Sequence, residues 1–198
     1  MNNKNNKLTI AIAILFEIIL ITTSIISIQS KQFKSLYLLL MAIVGILLPF
    51  IITRIAMAKK IKLPSSFELI SLLFIILTLY FGEINKFYVL FWWWDLLLHG
   101  MFGSYVVIIA LHLIQGIIIK EKNSTDERFT LFTVIFAFSF SITLGTLWEL
   151  FEFLGDYFFN ANMVNGGLED TATDLLIKTL FAFITCIICY RRKLKNKK

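Results

Sequence analysis

Trp92-Trp93-Trp94-Asp95-Leu96-Leu97-Leu98-His99-Gly100-Met101-Phe102-Gly103 places an aromatic cluster, two ionisable side chains and two glycines at the head of a long apolar run. Asp95 and His99 stand four residues apart, so a helix sets them on one face, about 40° apart in azimuth and about 6 Å apart along the axis. Trp gathers where apolar helices meet the membrane surface, which makes Trp92, Trp93 and Trp94 an interfacial anchor. Gly100, Gly103 and Ser104 form a flat strip on which another helix can sit closely. The stretch predicts a membrane-spanning helix that carries a polar pair close to one of its ends.

The rest of the chain agrees. Of 198 residues, 58% are hydrophobic and 16% charged, and the mean hydropathy is +0.81. That balance belongs to a polytopic membrane protein rather than to one soluble core. Runs of about 17 to 25 apolar residues cross a hydrocarbon core about 30 Å thick as helices. Six such runs lie near 8–28, 36–57, 66–83, 94–119, 129–154 and 173–190. Their continuous Ile, Leu and Phe lack the alternation of an outer-membrane barrel. The fold class is therefore all-α, a single integral membrane domain over 1–198 with about six transmembrane helices.

Lys and Arg flanks are retained in the cytoplasm, which orients the bundle. With the amino terminus inside, the cytoplasmic segments hold Lys4 and Lys7, then Arg54, Lys59, Lys60 and Lys62, then Lys120, Lys122 and Arg128, and finally a tail from Arg191 to Lys198. The outer segments hold only Lys31, Lys34 and Lys86. Both termini are expected inside a bacterial inner (cell) membrane. The formal net charge of +6 then reflects topology and contact with anionic lipid, so membrane lipids are the expected partners and nucleic acid is not. The first apolar run lacks a small-residue cleavage site and reads as a retained helix. Cys186 and Cys189, deep in the last run, read as small apolar residues without a disulfide.

Several polar residues have ordinary explanations. Thr22, Thr23, Ser24 and Ser27 can bond between helices or pack closely. Pro49 kinks the second helix, Arg54 snorkels to its end, and Ser65-Ser66-Phe67-Glu68 reads as a capping box. His112 lies about 220° round the helix from His99 and belongs to packing or end polarity. Glu17 is different, because it falls near the middle of the first span. It is either a neutral carboxyl bonded to a neighbouring helix or a functional intramembrane proton site.

The acids after Leu147 form a pattern. Glu149, Glu152 and Asp156 make a narrow stripe at i, i+3 and i+7 among large apolar residues, with no Lys or Arg beside them. The loop from Tyr157 to Glu169 has no basic residue and contains the turn Asn165-Gly166-Gly167. Asp170 and Asp174 follow at i, i+4 and in part cap the last helix. Lys178, one turn further, is read as an ion-pair partner of Asp174 with a snorkelling head, or as an electrostatic contact for an anionic ligand.

Three helix ends thus bring Asp95, His99, Glu149, Glu152, Asp170 and Asp174 to one depth. Crowded carboxylates in a low dielectric must be protonated, paired with cations or bound to metal. The plain alternative is that they cap helices and bond across the interface in a structural membrane protein. The motifs Trp94-Asp95-x3-His99-Gly100, Trp148-Glu149-x2-Glu152-Phe153 and Asp170-Thr171-x2-Asp174-Leu175 resemble the bacterial integral-membrane family typified by YjdF. More distantly they are similar to VanZ-like membrane proteins. The resemblance covers the chain from Trp92 onward and implies a shared multi-helix fold with those polar positions, without an established reaction. Lys178 and Phe181 depart from its pattern, where an acidic or amide residue and a glycine are expected.

Two functional readings follow. In one, the layer faces outward and binds or processes a lipid headgroup with a divalent metal held by Asp95, His99, Glu149, Glu152 and Asp174. His99, Glu149 and Glu152 then act as acid and base, and Asp170 and Lys178 help bind the ligand. Oxygen-rich ligands with one imidazole suit Mg²⁺, Ca²⁺ or Mn²⁺, with Zn²⁺ also compatible. In the other, Glu17, His99 and Glu149 are steps in a proton- or cation-coupled small transporter. The sequence specifies neither substrate nor oligomeric state.

Overall fold

The structure is a computed structural model that describes residues 3–30, 36–159, 164 and 167–195. Among these the secondary structure is helical throughout: α1 Asn3–Gln29, α2 Leu36–Ala58, α3 Phe67–Ile75 continuing in wider turns over Ile76–Ile84, a short α4 Phe87–Leu90, α5 Trp94–Ile117, α6 Asp126–Phe159 and α7 Leu168–Lys195. Six of these helical stretches are long and apolar enough to cross a membrane: Lys7–Gln29, Leu36–Ala58, Phe67–Ile84, Trp94–Ile117, Asp126–Phe158 and Leu168–Leu194. They match the six runs expected from sequence. The last two helices are longer than expected because Glu149, Glu152, Asp156, Asp170 and Asp174 interrupt the apolar composition without breaking the helix. At 34 residues α6 spans about 51 Å, well over the membrane core.

The chain divides into two compact units, Met1–Trp94 and Asp95–Lys198. In the first, α1, α2 and α3 enclose Ala13, Leu20, Leu39, Ala42, Ile46, Leu72 and Ile76. Phe16 meets Tyr80 edge-on at 5.4 Å. The widened winding of α3 is stitched at both ends. The Thr78 hydroxyl donates to the Phe74 and Ile75 carbonyls, and both the backbone N–H and the side-chain amide of Asn85 reach the Tyr80 carbonyl five residues back. Such turns concentrate at functional or strained places and give no sequence signal of their own. Lys86, with φ 59°, then turns the chain into α4, and Phe87 packs on Trp94 at 4.9 Å.

Two local expectations are corrected here, and a third lies largely outside the described residues. The Thr22, Thr23 and Ser24 hydroxyls donate to the carbonyls of Ile18, Ile19 and Leu20 in their own helix, not to a neighbour, the usual outlet for a hydroxyl in a helix interior. Ser66 precedes α3 without a side-chain cap, so the capping box is not formed. Of the turn Asn165-Gly166-Gly167 only Gly167 is described, at φ +65°, where a left-handed residue leads into α7. Lys31, Lys34, Lys197 and Lys198 also lie outside the described residues.

In the second unit α5, α6 and α7 pack around Val107, Ala110, Leu111, Val134, Ala137, Ala182 and Cys186. The small-residue strip of α5 works as expected. The Phe181 ring of α7 covers Gly100, and a Cβ on Gly103 would run into the backbone of Lys178. The Ser141 hydroxyl of α6 donates to the Gly103 carbonyl at 2.9 Å. Phe181, a departure from the resembled pattern, is thus the counterpart of a glycine on the facing helix. Since backbone meets backbone at Gly103, Gly103→Ala should force α7 away and cost about 1–3 kcal/mol, seen as a lower thermal midpoint in detergent. Gly116→Ala, at an exposed position near the end of α5, should leave that midpoint unchanged or slightly raised.

Candidate cation site

Asp95 lies in the first turn of α5 and His99 one turn later, so their spacing alone brings them together. The structure adds Asp174 from α7. His99 Nε2 is 3.1 Å from Asp95 Oδ1 and 3.3 Å from Asp174 Oδ2. One donor atom from each residue lies within 4.8 Å of the other two. His99 and Asp174 are buried, at 7% and 2% exposure, whereas a third of the Asp95 side chain remains open. Asp95 is therefore the side from which the group can be reached.

Asp174 Oδ1 is buried and has no hydrogen-bond partner among the described residues. An unsatisfied buried carboxylate oxygen is costly, and charge makes it more so. The single Nε2 hydrogen cannot serve two carboxylates fully, because one N–H gives one strong bond. With both carboxylates ionised and His99 protonated, Asp95, His99 and Asp174 together would still carry one net negative charge. The arrangement suits a cation.

Beneath it lies a second charged layer. Lys178, one turn beyond Asp174 on α7, pairs with Glu149 of α6, and both are almost fully buried. This corrects the reading of Lys178 as a snorkelling ion-pair partner of Asp174: its head turns across to Glu149 on α6, inside the unit. Its stem passes over Gly145, and its ammonium stands 5.9 Å from the Phe102 ring centre. Ser141, Gly145 and Glu149 form one stripe on α6 at i, i+4 and i+8. That stripe is the sequence signal for the pair.

The other candidates separate. Glu149 and Glu152 do not join the three-residue group. Glu152 is half-buried and accepts the Trp148 indole N–H at 2.8 Å, while the charges of Glu149, Lys178 and Asp95 reach it. Asp170 is half-buried one turn before Asp174, and its charge acts on Asp174. Asp156 accepts the Val164 N–H at 2.9 Å. Glu17 belongs to the other unit. It is half-buried, and its Oε1 is buried without a partner among the described residues. His112 Nδ1 lies 2.9 Å from the Ile108 carbonyl, in keeping with packing, and Arg54 is exposed. Cys186 and Cys189 are free thiols.

The profile of the predicted membrane proteins DUF2238 matches residues 10–195. The chain belongs to that family. The match takes in the six apolar helices and all of the polar residues above. This DUF2238 chain is also similar to an uncharacterized protein of Thermotoga maritima, 31% identical over 112 residues, or 57% of this chain and 55% of that protein. The chain thus spans about half the length of that curated relative. No solved structure matches it.

The buried pair makes the DUF2238 chain sensitive to single substitutions. Lys178→Met strands the Glu149 carboxylate and should cost about 3–5 kcal/mol. The double variant Lys178→Met/Glu149→Gln should recover most of that loss, as read by thermal unfolding of the detergent-purified protein. Additive losses in the double variant would mean that the two charges are not coupled.

Proposed function

We propose that Asp95, His99 and Asp174 hold a divalent cation close to the membrane surface, where it receives the headgroup of a membrane lipid. The observation that carries this reading is Asp174 Oδ1, buried and unpartnered in a group whose His99 Nε2 already faces two carboxylates. One imidazole nitrogen with carboxylate oxygens suits Mn²⁺ or Zn²⁺ first and Mg²⁺ or Ca²⁺ next. When bound, such an ion polarises a phosphoryl or carbonyl oxygen as a Lewis acid. Asp174 holds the inner side of the group, His99 is aligned by the two carboxylates, and the more open Asp95 faces the approaching headgroup. Lys178 is engaged by Glu149 and keeps that layer neutral, so Glu149 serves to position α7 rather than to ligate the ion.

The one-sided placement of Lys and Arg supports a cytoplasmic location for both termini and an outward-facing site. The resemblance to YjdF-type and, more distantly, VanZ-like membrane proteins supports taking the same polar positions together. Outward placement is tested by cysteine labelling in a chain freed of Cys186 and Cys189. Asn160→Cys should react with a membrane-impermeant maleimide in intact cells, and Ser124→Cys only after permeabilisation. The opposite pattern would put the site on the cytoplasmic face.

Binding itself is tested by titrating detergent-purified protein with Mn²⁺ and following the free-ion paramagnetic resonance signal. Wild type should take up one ion per chain. Asp174→Asn and His99→Ala should each weaken uptake at least about tenfold, the scale expected when an ion-binding contact is removed. Uptake that is absent in the wild type, or equal in all three proteins, would remove the cation reading.

A further inference from the structure

The end of the second unit that carries the candidate site is strongly one-signed. From Phe87 to Ile119 and from Phe129 to Ile177 the chain contains no Lys or Arg, while Asp95, Glu149, Glu152, Asp156, Glu169, Asp170 and Asp174 all lie in these stretches. Lys178 does not relieve this, because Glu149 takes its charge. A divalent ion on Asp95, His99 and Asp174 would balance the two carboxylates that hold it and nothing more. Glu152 and Asp170 are further half-buried carboxylates, the first in electrostatic reach of Asp95 and the second of Asp174. A headgroup that is only anionic would be drawn to the ion and repelled by this rim.

Glu152 is also presented in a particular way. The Trp148 indole N–H fixes its carboxylate at 2.8 Å, and the exposed Trp148 ring in turn leans on Phe151 at 5.6 Å. A carboxylate held against an open indole offers an ammonium both an opposite charge and a π face, and Trp is the strongest of the aromatic side chains in that contact. The charge of Asp95, the accessible member of the cation group, reaches the same carboxylate. Trp148 and Glu152 thus form a polar–aromatic pair in electrostatic reach of the cation group through Asp95.

We infer that the headgroup taken by this site is zwitterionic, with a phosphate directed to the cation group and an ammonium directed to Glu152 and Trp148. The inference rests on the cation reading above and narrows it to one class of lipid. It assigns to Glu152 and Trp148 the discrimination between amine-bearing and purely anionic headgroups, and to Asp170 a share in the negative rim.

The test uses the full chain in detergent with Mn²⁺, exposed to equimolar phosphatidylethanolamine and phosphatidylglycerol of the same acyl chains, with bound lipid counted by native mass spectrometry. Wild type should retain the ethanolamine lipid over the glycerol lipid by about fivefold, the scale of one partly desolvated cation–π and charge contact. Glu152→Gln and Trp148→Leu should each bring the ratio towards one while Mn²⁺ uptake stays at the wild-type level, which also shows that the variants are folded. No preference in the wild type, a preference for the glycerol lipid, or a ratio unchanged in both variants would overturn the inference and leave the cation reading standing. Failure of the wild type to take up Mn²⁺ would overturn both.

Discussion

The Lys178–Glu149 pair fixes how α7 meets α6, and the candidate site depends on that contact. Two charges withdrawn from water carry a desolvation penalty of several kcal/mol each in real proteins, and only close mutual contact offsets it. The pair can close because Gly145 and Gly103 leave no side chain in the way, so the lysine stem and the α7 backbone lie directly on their neighbours. Asp174 is carried on the same helix one turn away. Once Lys178 is seated, Asp174 has few places to go other than against His99. The Ser141 hydroxyl closes the third side by bonding the Gly103 carbonyl, so α5, α6 and α7 are joined at one level by polar contacts as well as by packing.

Much of this was legible in the chain itself, for identifiable reasons. The six helices follow from apolar runs measured against membrane thickness, and the Asp95–His99 contact follows from an i, i+4 spacing that any helix enforces. The strip of Gly100 and Gly103 announced a close helix contact, and the structure supplies its partners, Phe181 and the backbone of Lys178. Asp174 could be assigned to the right depth, although its approach to His99 depends on how two helices cross.

What stayed hidden depends on contacts between helices or on backbone detail. Lys178 sits an ideal distance along the helix from Asp174, yet the pair that forms crosses to Glu149. A local spacing rule cannot weigh a neighbour brought close by two distant glycines. Glu149 and Glu152, three residues apart on one stripe, part company for the same reason: one is turned inward to the lysine, the other is held at the margin by Trp148. In the first unit, Ser65 and Glu68 have the spacing of a capping box, but the helix starts after Ser66, which forms no side-chain cap, and the wider winding over Ile76–Ile84 emerges from a span whose hydropathy lies within the range of the others. Glu17 keeps the character its sequence position gave it, an acid inside an apolar helix, with one oxygen buried and unmatched.

α7 runs without interruption from Leu168 to Lys195, 28 residues or about 42 Å of continuous helix. Near one end it bears Asp174 and Lys178; near the other it carries Arg191, Arg192 and Lys193, together with Tyr190, whose hydroxyl donates to Glu127 at the start of α6. A stiff rod has no internal joint in which a displacement can be absorbed. One continuous helix thus carries the polar group near one end and the basic cluster near the other, and its length exceeds the thickness of the membrane core.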